Sequence, residues 1–271
     1  MIVGSDEKMA AMEIKMRIFE THAHYDDEAF DADRTAVIER QQSFGIDRVV
    51  NIGSNMATSR TTDRLTREYD FFYGAVGVHP SDCEDMTEAE IEELKSLAAA
   101  NSKIVAIGEI GLDYHWPEPG KEVQQKWFRR QLELAREIGL PVVIHSRDAA
   151  NDTMAILEEE KTGEIGGVMH CYSYTKELAE RVLKMGLYIG VGGVLTFKNA
   201  RKLVETVEAT PLDRIVIETD SPYLAPEPNR GKRNNSANLR YVVAKLAEIK
   251  GITPEEAAEA TYENAMRMYR I

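Results

Sequence analysis

The sequence predicts an α/β fold of the (β/α)8 TIM-barrel class: eight parallel strands, each followed by a helix or a helix-bearing loop. Three observations carry that expectation. Short β-branched runs alternate with longer amphipathic stretches eight times along the chain. The length of 271 residues suits one closed barrel, whose usual size is about 250. Five of the six histidines fall at or just beyond the C-terminal ends of the expected strands, where barrels build their active sites. A doubly wound open sheet is the alternative, but no GxGxxG follows the first strand, which counts against its dinucleotide-binding form.

Taken in order, residues 1–15 read as a polar N-terminal extension, and 16–271 as a single barrel domain. The first strand is "MRIFE" (16–20), followed by helical text over 31–44. "DRVVNIG" (47–53) is the second strand, followed by a polar helix over 56–69, and "FFYGAVGV" (71–78) is the third. The next helix opens at Thr87 with Glu90 three residues on, the capping-box spacing. "KIVAIGEI" (103–110) is the fourth strand, and 121–138 places Val123, Trp127, Leu134 and Ile138 near one helical face. "PVVIH" (141–145) and "GGVMHC" (166–171) are the fifth and sixth strands, separated by a helix over 148–160. A helix from Thr175 stops at Gly186, a residue suited to a helix C-terminus. "LYIGVGG" (187–193), a helix over 198–208 and "RIVIETD" (214–220) complete the eight units. Two helices close the chain, over 236–250 and 254–268; the last opens with Thr253 as cap, Pro254 at the first turn and Glu256.

The chain is acidic, with a formal net charge of −13 and 29% charged residues. That argues against a broad basic face for gripping long nucleic acid, though not against a small phosphate site. No window approaches the ~20 apolar residues of a membrane span, and the N-terminus lacks the apolar core of a signal peptide, so no membrane partner and a cytoplasmic location are expected. Two cysteines without a CxxC, Cys83 and Cys171, are expected as reduced thiols.

The strand ends carry the chemistry. His22 and His24 follow the first strand, His79 the third, His145 ends the fifth and His170 lies near the end of the sixth. Glu109 ends the fourth strand, and Glu218 and Asp220 end the eighth. Strand side chains alternate, so His22 and His24 are expected to project together, and so are Glu218 and Asp220. Four imidazoles and two carboxylates exceed what one open metal site needs. They suit two divalent ions about 3.5–4 Å apart sharing a bridging group, with Glu109 as the natural bridge. Asp220 is expected both to ligate and to accept a proton from water, with Glu218 as a second catalytic or orienting acid. Imidazole-rich donors favour zinc, iron, nickel or cobalt over magnesium, and the expected cofactor is two divalent ions drawn from zinc, manganese, magnesium, nickel, cobalt and iron.

The segments "FETHAHYDD", "GVHP", "IGEIGLDY", "LPVVIHSRDA", "GVMHCYS" and "IETDSPYLAPEPNRGKRN" resemble the TatD family of metal-dependent hydrolases, in the amidohydrolase-like barrel group. The resemblance runs from about Arg17 to Tyr269. It implies a TIM barrel with His22, His24, Glu109 and Asp220 holding one ion, and Glu109, His145 and His170 the other. It also implies a metal-dependent deoxyribonuclease, of 3′-to-5′ exonuclease action. This chain departs from the family with Ala23 and Tyr25 where Cys and Leu are usual, with "HCYSY" for "HCFSG", and within "NRGKRNNSAN".

A phosphodiester needs donors for its oxygens. Candidates on the expected active face are His79, Arg147 and Arg230, with Lys198, Lys232 and Arg233 beside them. Tyr25, Tyr114, Trp116, Tyr172, Phe197 and Tyr223 are candidates to stack on bases. The expected partner is DNA or another phosphodiester, entering as a strand end. The alternative is a two-metal hydrolase of an amide or ester such as an aminoacyl-tRNA, and a third reading is a non-enzymatic metal-braced binding surface.

Overall fold

A parallel strand buried on both faces needs apolar or small side chains throughout, and the β-branched runs supply them. The computed structural model describes residues 16–271, and the expected extension at 1–15 lies outside the described residues. The strands are β1 (Ile18–Ala23), β2 (Ile46–Ile52), β3 (Phe72–Val76), β4 (Ile104–Asp113), β5 (Val142–Arg147), β6 (Gly167–Met169), β7 (Tyr188–Val191) and β8 (Ile215–Ile217). They form one parallel sheet in sequential order. Helices α1 (Arg34–Gln41), α2 (Met56–Glu68), α3 (Glu88–Ala100), α4 (Lys121–Ile138), α5 (Ala150–Glu159), α6 (Lys176–Lys184) and α7 (Arg201–Ala209) fill the crossovers, and α8 (Leu239–Lys250) and α9 (Pro254–Tyr269) follow β8. The (β/α)8 architecture is as the sequence predicts.

Capping boxes at Thr87/Glu90 and Thr253/Glu256 start α3 and α9 as expected, and Asn55/Thr58 adds a third at α2. A buried cluster draws at least one residue from all eight strands, from Phe19 in β1 to Val216 in β8. Tyr262, Ala265, Met268 and Tyr269 of α9 pack into the same cluster. The last helix therefore plugs the barrel's N-terminal end, with Phe19 against the rings of Tyr262 and Tyr269.

The seam between β1 and β8 closes just where the ligand candidates emerge. Ala23 bridges Ser221, the Asp220 N–H donates to the His22 carbonyl at 2.9 Å, and the His24 N–H donates to the Ser221 carbonyl at 2.8 Å. Buried Glu20 adds a side-chain clamp, accepting the N–H groups of His22 (3.2 Å) and Thr219 (2.8 Å) and the Thr219 hydroxyl (2.6 Å). Burial pushes the Glu20 carboxyl up to about 7, against the pull of those hydrogen bonds.

Several boundaries differ from expectation. β4 runs on past 110 to Asp113, because it keeps pairing with β5 as far as Asp113 opposite Arg147. Gly111 permits this: its φ is +144°, and a Cβ there would overlap the His145 carbonyl. β6 and β8 are shorter than 166–171 and 214–220, since Cys171 and Asp220 take left-handed backbone (φ +43° and +56°) that no strand continues. Among the described residues no helix is long and apolar enough to cross a membrane. Cys83 and Cys171 are unpaired thiols.

Candidate metal centre

The end of β1 aims two imidazoles at one point. His22 Nε2 and His24 Nε2 lie 3.1 Å apart. Glu109 Oε2 is 3.5 and 3.7 Å from them, and Asp220 Oδ1 is 3.6 and 3.4 Å away. Bonds of about 2.0–2.1 Å put tetrahedral donors about 3.3–3.4 Å apart. Each carboxylate oxygen therefore stands from the two imidazole nitrogens at about the spacing of ligands on one tetrahedral metal.

A second group faces the other oxygen of Glu109. His145 Nδ1 is 2.8 Å and His170 Nε2 2.7 Å from Glu109 Oε1, and the two nitrogens are 3.2 Å apart. Glu109 thus offers one oxygen to each group, the arrangement of a bridging carboxylate. The donor set fits two divalent ions: imidazole nitrogens and carboxylate oxygens converge in two adjoining clusters, almost wholly buried.

Neighbouring hydrogen bonds assign the tautomers, and they separate the histidines by role. His24 Nδ1 faces the Ile52 carbonyl at 2.9 Å; a carbonyl only accepts, so that nitrogen carries the proton and Nε2 is left for a metal. His145 Nε2 donates to Asp113 Oδ2 at 3.1 Å, leaving Nδ1 toward Glu109. His79 is the reverse case. Its Nδ1 accepts the Ser81 N–H at 3.1 Å, so the neutral ring carries its proton on Nε2, 3.8 Å from Glu109 Oε1. Although His79 stands with Asp113 and His145 in a third cluster of donors, its inward atom is an N–H and not a lone pair.

The electrostatics follow each side chain's immediate neighbours. Burial would raise the carboxyls of Glu109 and Asp220, but the surrounding histidines hold both below the usual range. Burial likewise opposes charge on His24 and His145, yet Asp220 for the first, and Asp113 with Glu109 for the second, raise them to about 10 and about 9. Burial and the neighbouring His145 lower His79 to about 3, keeping it neutral. Burial, with His170 stacked 4.0 Å away, lowers His22 to about 4. Without a metal the neighbouring carboxylates favour protons on His24 and His145; divalent ions would take the place of those protons.

Above the centre opens a cavity of about 670 Å³, lined in part by His79, Arg147, Trp116 and Tyr223. Of the three expected substrate contacts, His79 and Arg147 reach it and Arg230 does not. The Arg230 guanidinium lies 4.3 Å over the Phe197 ring, away from the cavity wall. Arg233 is held by both oxygens of Asp33, at 2.7 Å each, and Lys198 and Lys232 also lie off the lining.

Glu218 departs from the expected common projection with Asp220, and its position suits the orienting role. The strand stops at Ile217 and Asp220 is left-handed, so the two acids do not share a face. Asp220 opens to the cavity, whereas Glu218 is buried behind His170, its Oε1 accepting the Cys171 N–H and lying 3.7 Å from His170 Nδ1. Burial raises its carboxyl to about 8, and it lies outside the cavity lining. Of the aromatic candidates, Tyr25 and Tyr172 are core residues.

Two supporting residues escape sequence reasoning. Asp113 orients His145, and its signal in the sequence was its place in "IGEIGLDY", four residues beyond Glu109. Asn51 is fully buried; its side chain donates to Asp26 Oδ1 and Thr62 Oγ1 and accepts the Tyr25 N–H, each at 2.7 Å, tying the loop after β1 to α2.

A (β/α)8 barrel carrying two adjoining histidine–carboxylate clusters around a shared glutamate at its C-terminal face has the build of a metal-dependent hydrolase. Residues 19–270 match the profile of the family described as TatD related DNase, and the chain belongs to that family, the TatD group of metal-dependent hydrolases. It is 46% identical to YabD of Bacillus subtilis, an uncharacterized metal-dependent hydrolase, over 94% of this chain and 99% of that one. It is 34% identical to the metal-dependent hydrolase TatD of Mycobacterium tuberculosis, over 92% of this chain and 97% of that one. Among solved structures, the TatD homologue YjjV of Escherichia coli superposes with a TM-score of 0.89 at 29% identity, covering 95% of this chain and all of that one.

Proposed function

We propose that this hydrolase cleaves phosphodiester bonds of DNA at a strand end, in the 3′-to-5′ exonuclease sense, using two divalent ions. The observation that carries the reading is Glu109, one oxygen toward His22, His24 and Asp220 and the other toward His145 and His170, beneath a cavity that also presents anion donors. Two bound ions would activate a water and neutralise charge at the phosphorus. The chain's own groups do the rest. Arg147 and the His79 Nε2–H bind non-bridging phosphate oxygens. Asp113 holds the His145 ring, and Asp220, open to the cavity, takes the proton released by the attacking water.

The cavity supports a strand end over a long duplex. Asp26, Asp27 and Glu28 line it, and Arg147 is the only Arg or Lys among the described residues that does, so it would repel an extended run of phosphates. The same acids favour one second reading, an ester whose acyl group carries an ammonium, as an aminoacyl-tRNA end does.

The test is purified protein with bound metal measured by elemental analysis, then 5′-labelled single- and double-stranded DNA with magnesium, manganese, zinc or cobalt. Metal-dependent shortening one nucleotide at a time, absent in His145→Ala, is the expected result. Two bound ions with intact DNA would discard the substrate, and turnover of aminoacyl esters would then select the second reading.

A further inference from the structure

We propose that Trp116 and Tyr223 are two stacking platforms, one at each flank of the metal centre, that hold the bases on either side of the cleaved phosphate. The inference rests on the phosphodiester reading and specifies how the substrate's two arms are bound.

Trp116 (61% exposed) and Tyr223 (54%) are the two most exposed large apolar side chains among the described residues, and both line the one cavity over the metal centre. Such exposure contributes nothing to the core. The two residues come from opposite groups of the centre. Trp116 stands three residues past Asp113, the partner of His145. Tyr223 stands three residues past Asp220, and its N–H donates to the Asp220 carbonyl at 2.8 Å. A phosphodiester has two arms leaving the phosphorus in different directions, and this placement gives each arm one aromatic face.

The Tyr223 ring is held ready: its hydroxyl donates to Asp27 Oδ2 at 2.7 Å, and the buried Asn234 amide donates to its carbonyl at 2.8 Å. Trp116 meets His115 edge-on with ring centroids 4.8 Å apart. The cavity's charge makes stacking the available source of affinity. With three rim acids and one Arg, the substrate beyond the scissile phosphate is not held by ion pairs. Stacking needs no charge and tolerates every base, because each has a π-face.

The two tryptophans make the test direct, since Trp127 is buried (4% exposed) and quenching by a bound base reports Trp116 in wild type, while affinities for both probes, in wild type and variants, are read by fluorescence anisotropy of end-labelled probe. The probes are tetrathymidylate and a tetramer of the same backbone with tetrahydrofuran in place of each nucleoside. Phosphorothioate links are used for binding and ordinary links for cleavage, always on metal-loaded protein. Tetrathymidylate is expected to quench saturably and to bind about 5- to 100-fold more tightly than the baseless tetramer. Trp116→Ala and Tyr223→Ala should each remove much of that margin while leaving binding of the baseless tetramer unchanged. Equal binding and cleavage of the two probes by wild type, or equal losses on both probes in the variants, would overturn the inference and leave the phosphodiester reading standing. If neither probe is bound or cleaved, both fall together.

Discussion

If two ions bind as proposed, replacing Glu109 should remove both, whereas replacing a histidine should remove only one. Glu109 Oε2 lies 3.5 and 3.7 Å from His22 and His24, and Oε1 lies 2.8 and 2.7 Å from His145 and His170, so one side chain serves both clusters. A four-donor zinc site binds with about 10–16 kcal/mol, so one donor carries on the order of 3 kcal/mol, or about 100-fold in affinity. At a free metal concentration about tenfold above the wild-type dissociation constants, a 100-fold loss leaves a site about one-tenth filled. Elemental analysis after equilibrium dialysis should then find two ions in wild type, close to one in His24→Ala and in His145→Ala, and almost none in Glu109→Ala. Thermal melting gives an independent reading, because an ion that binds only the folded chain raises Tm with its concentration. Glu109→Ala retaining two ions, or His145→Ala losing both, would refute the bridging geometry.

The other predictions address the remaining layers of the argument. His79→Ala should lower kcat/KM by about 10- to 100-fold, the worth of a hydrogen bond to a charged group, with bound metal unchanged; His79→Gln, which keeps an N–H at similar reach, should recover most of it. A fall in metal content in His79→Ala would show instead that this histidine is a ligand. Phe19→Ala, in the core between the barrel and α9, should destabilise the fold by about 3–5 kcal/mol in urea unfolding, and a loss below 1 kcal/mol would contradict the plug. Burial pushes the Cys83 thiol up to about 11, so its thiolate is scarce until pH rises toward that value. Its alkylation in native protein should stay slow from pH 7 to 9 and become fast once the chain is unfolded, and rapid reaction of native Cys83 at pH 8 would refute its burial.

The parts of this architecture that repeat were legible in the sequence, and the parts that interrupt a repeat were not. Eight β-branched runs announced the barrel, and the capping residues at Thr87 and Thr253 marked helix starts, because both signals are local. The pairing of His22 with His24 followed from strand alternation, since the chain stays extended through Ala23. The same rule failed for Glu218 and Asp220. Nothing in "IETDSP" announces that the strand ends at Ile217 or that Asp220 turns left-handed, and both arise from closing the seam against β1. Arg230 and Tyr25 failed for a related reason: residue type proposes a contact, but only packing decides whether Tyr25 is core or Arg230 covers Phe197.

The histidines show most clearly where composition stops and geometry begins. By type and strand-end position, His79 is equivalent to His24 and His145, and a count of donors would enlist all three as ligands. What separates them is the atom on the far side of each ring. A carbonyl behind His24 and a carboxylate behind His145 each accept an N–H hydrogen bond, which leaves the other ring nitrogen facing Glu109 and Asp220 for His24 and Glu109 for His145. A backbone N–H behind His79 supplies a proton to Nδ1's lone pair, and so leaves an N–H facing the cavity. One residue type on one barrel face is thereby divided into groups that can hold a cation and a group that can meet an anion, which is the division a hydrolase of charged esters requires. That partition depends on the Ile52 carbonyl, the Asp113 carboxylate and the Ser81 N–H, whose positions behind the rings only the fold sets.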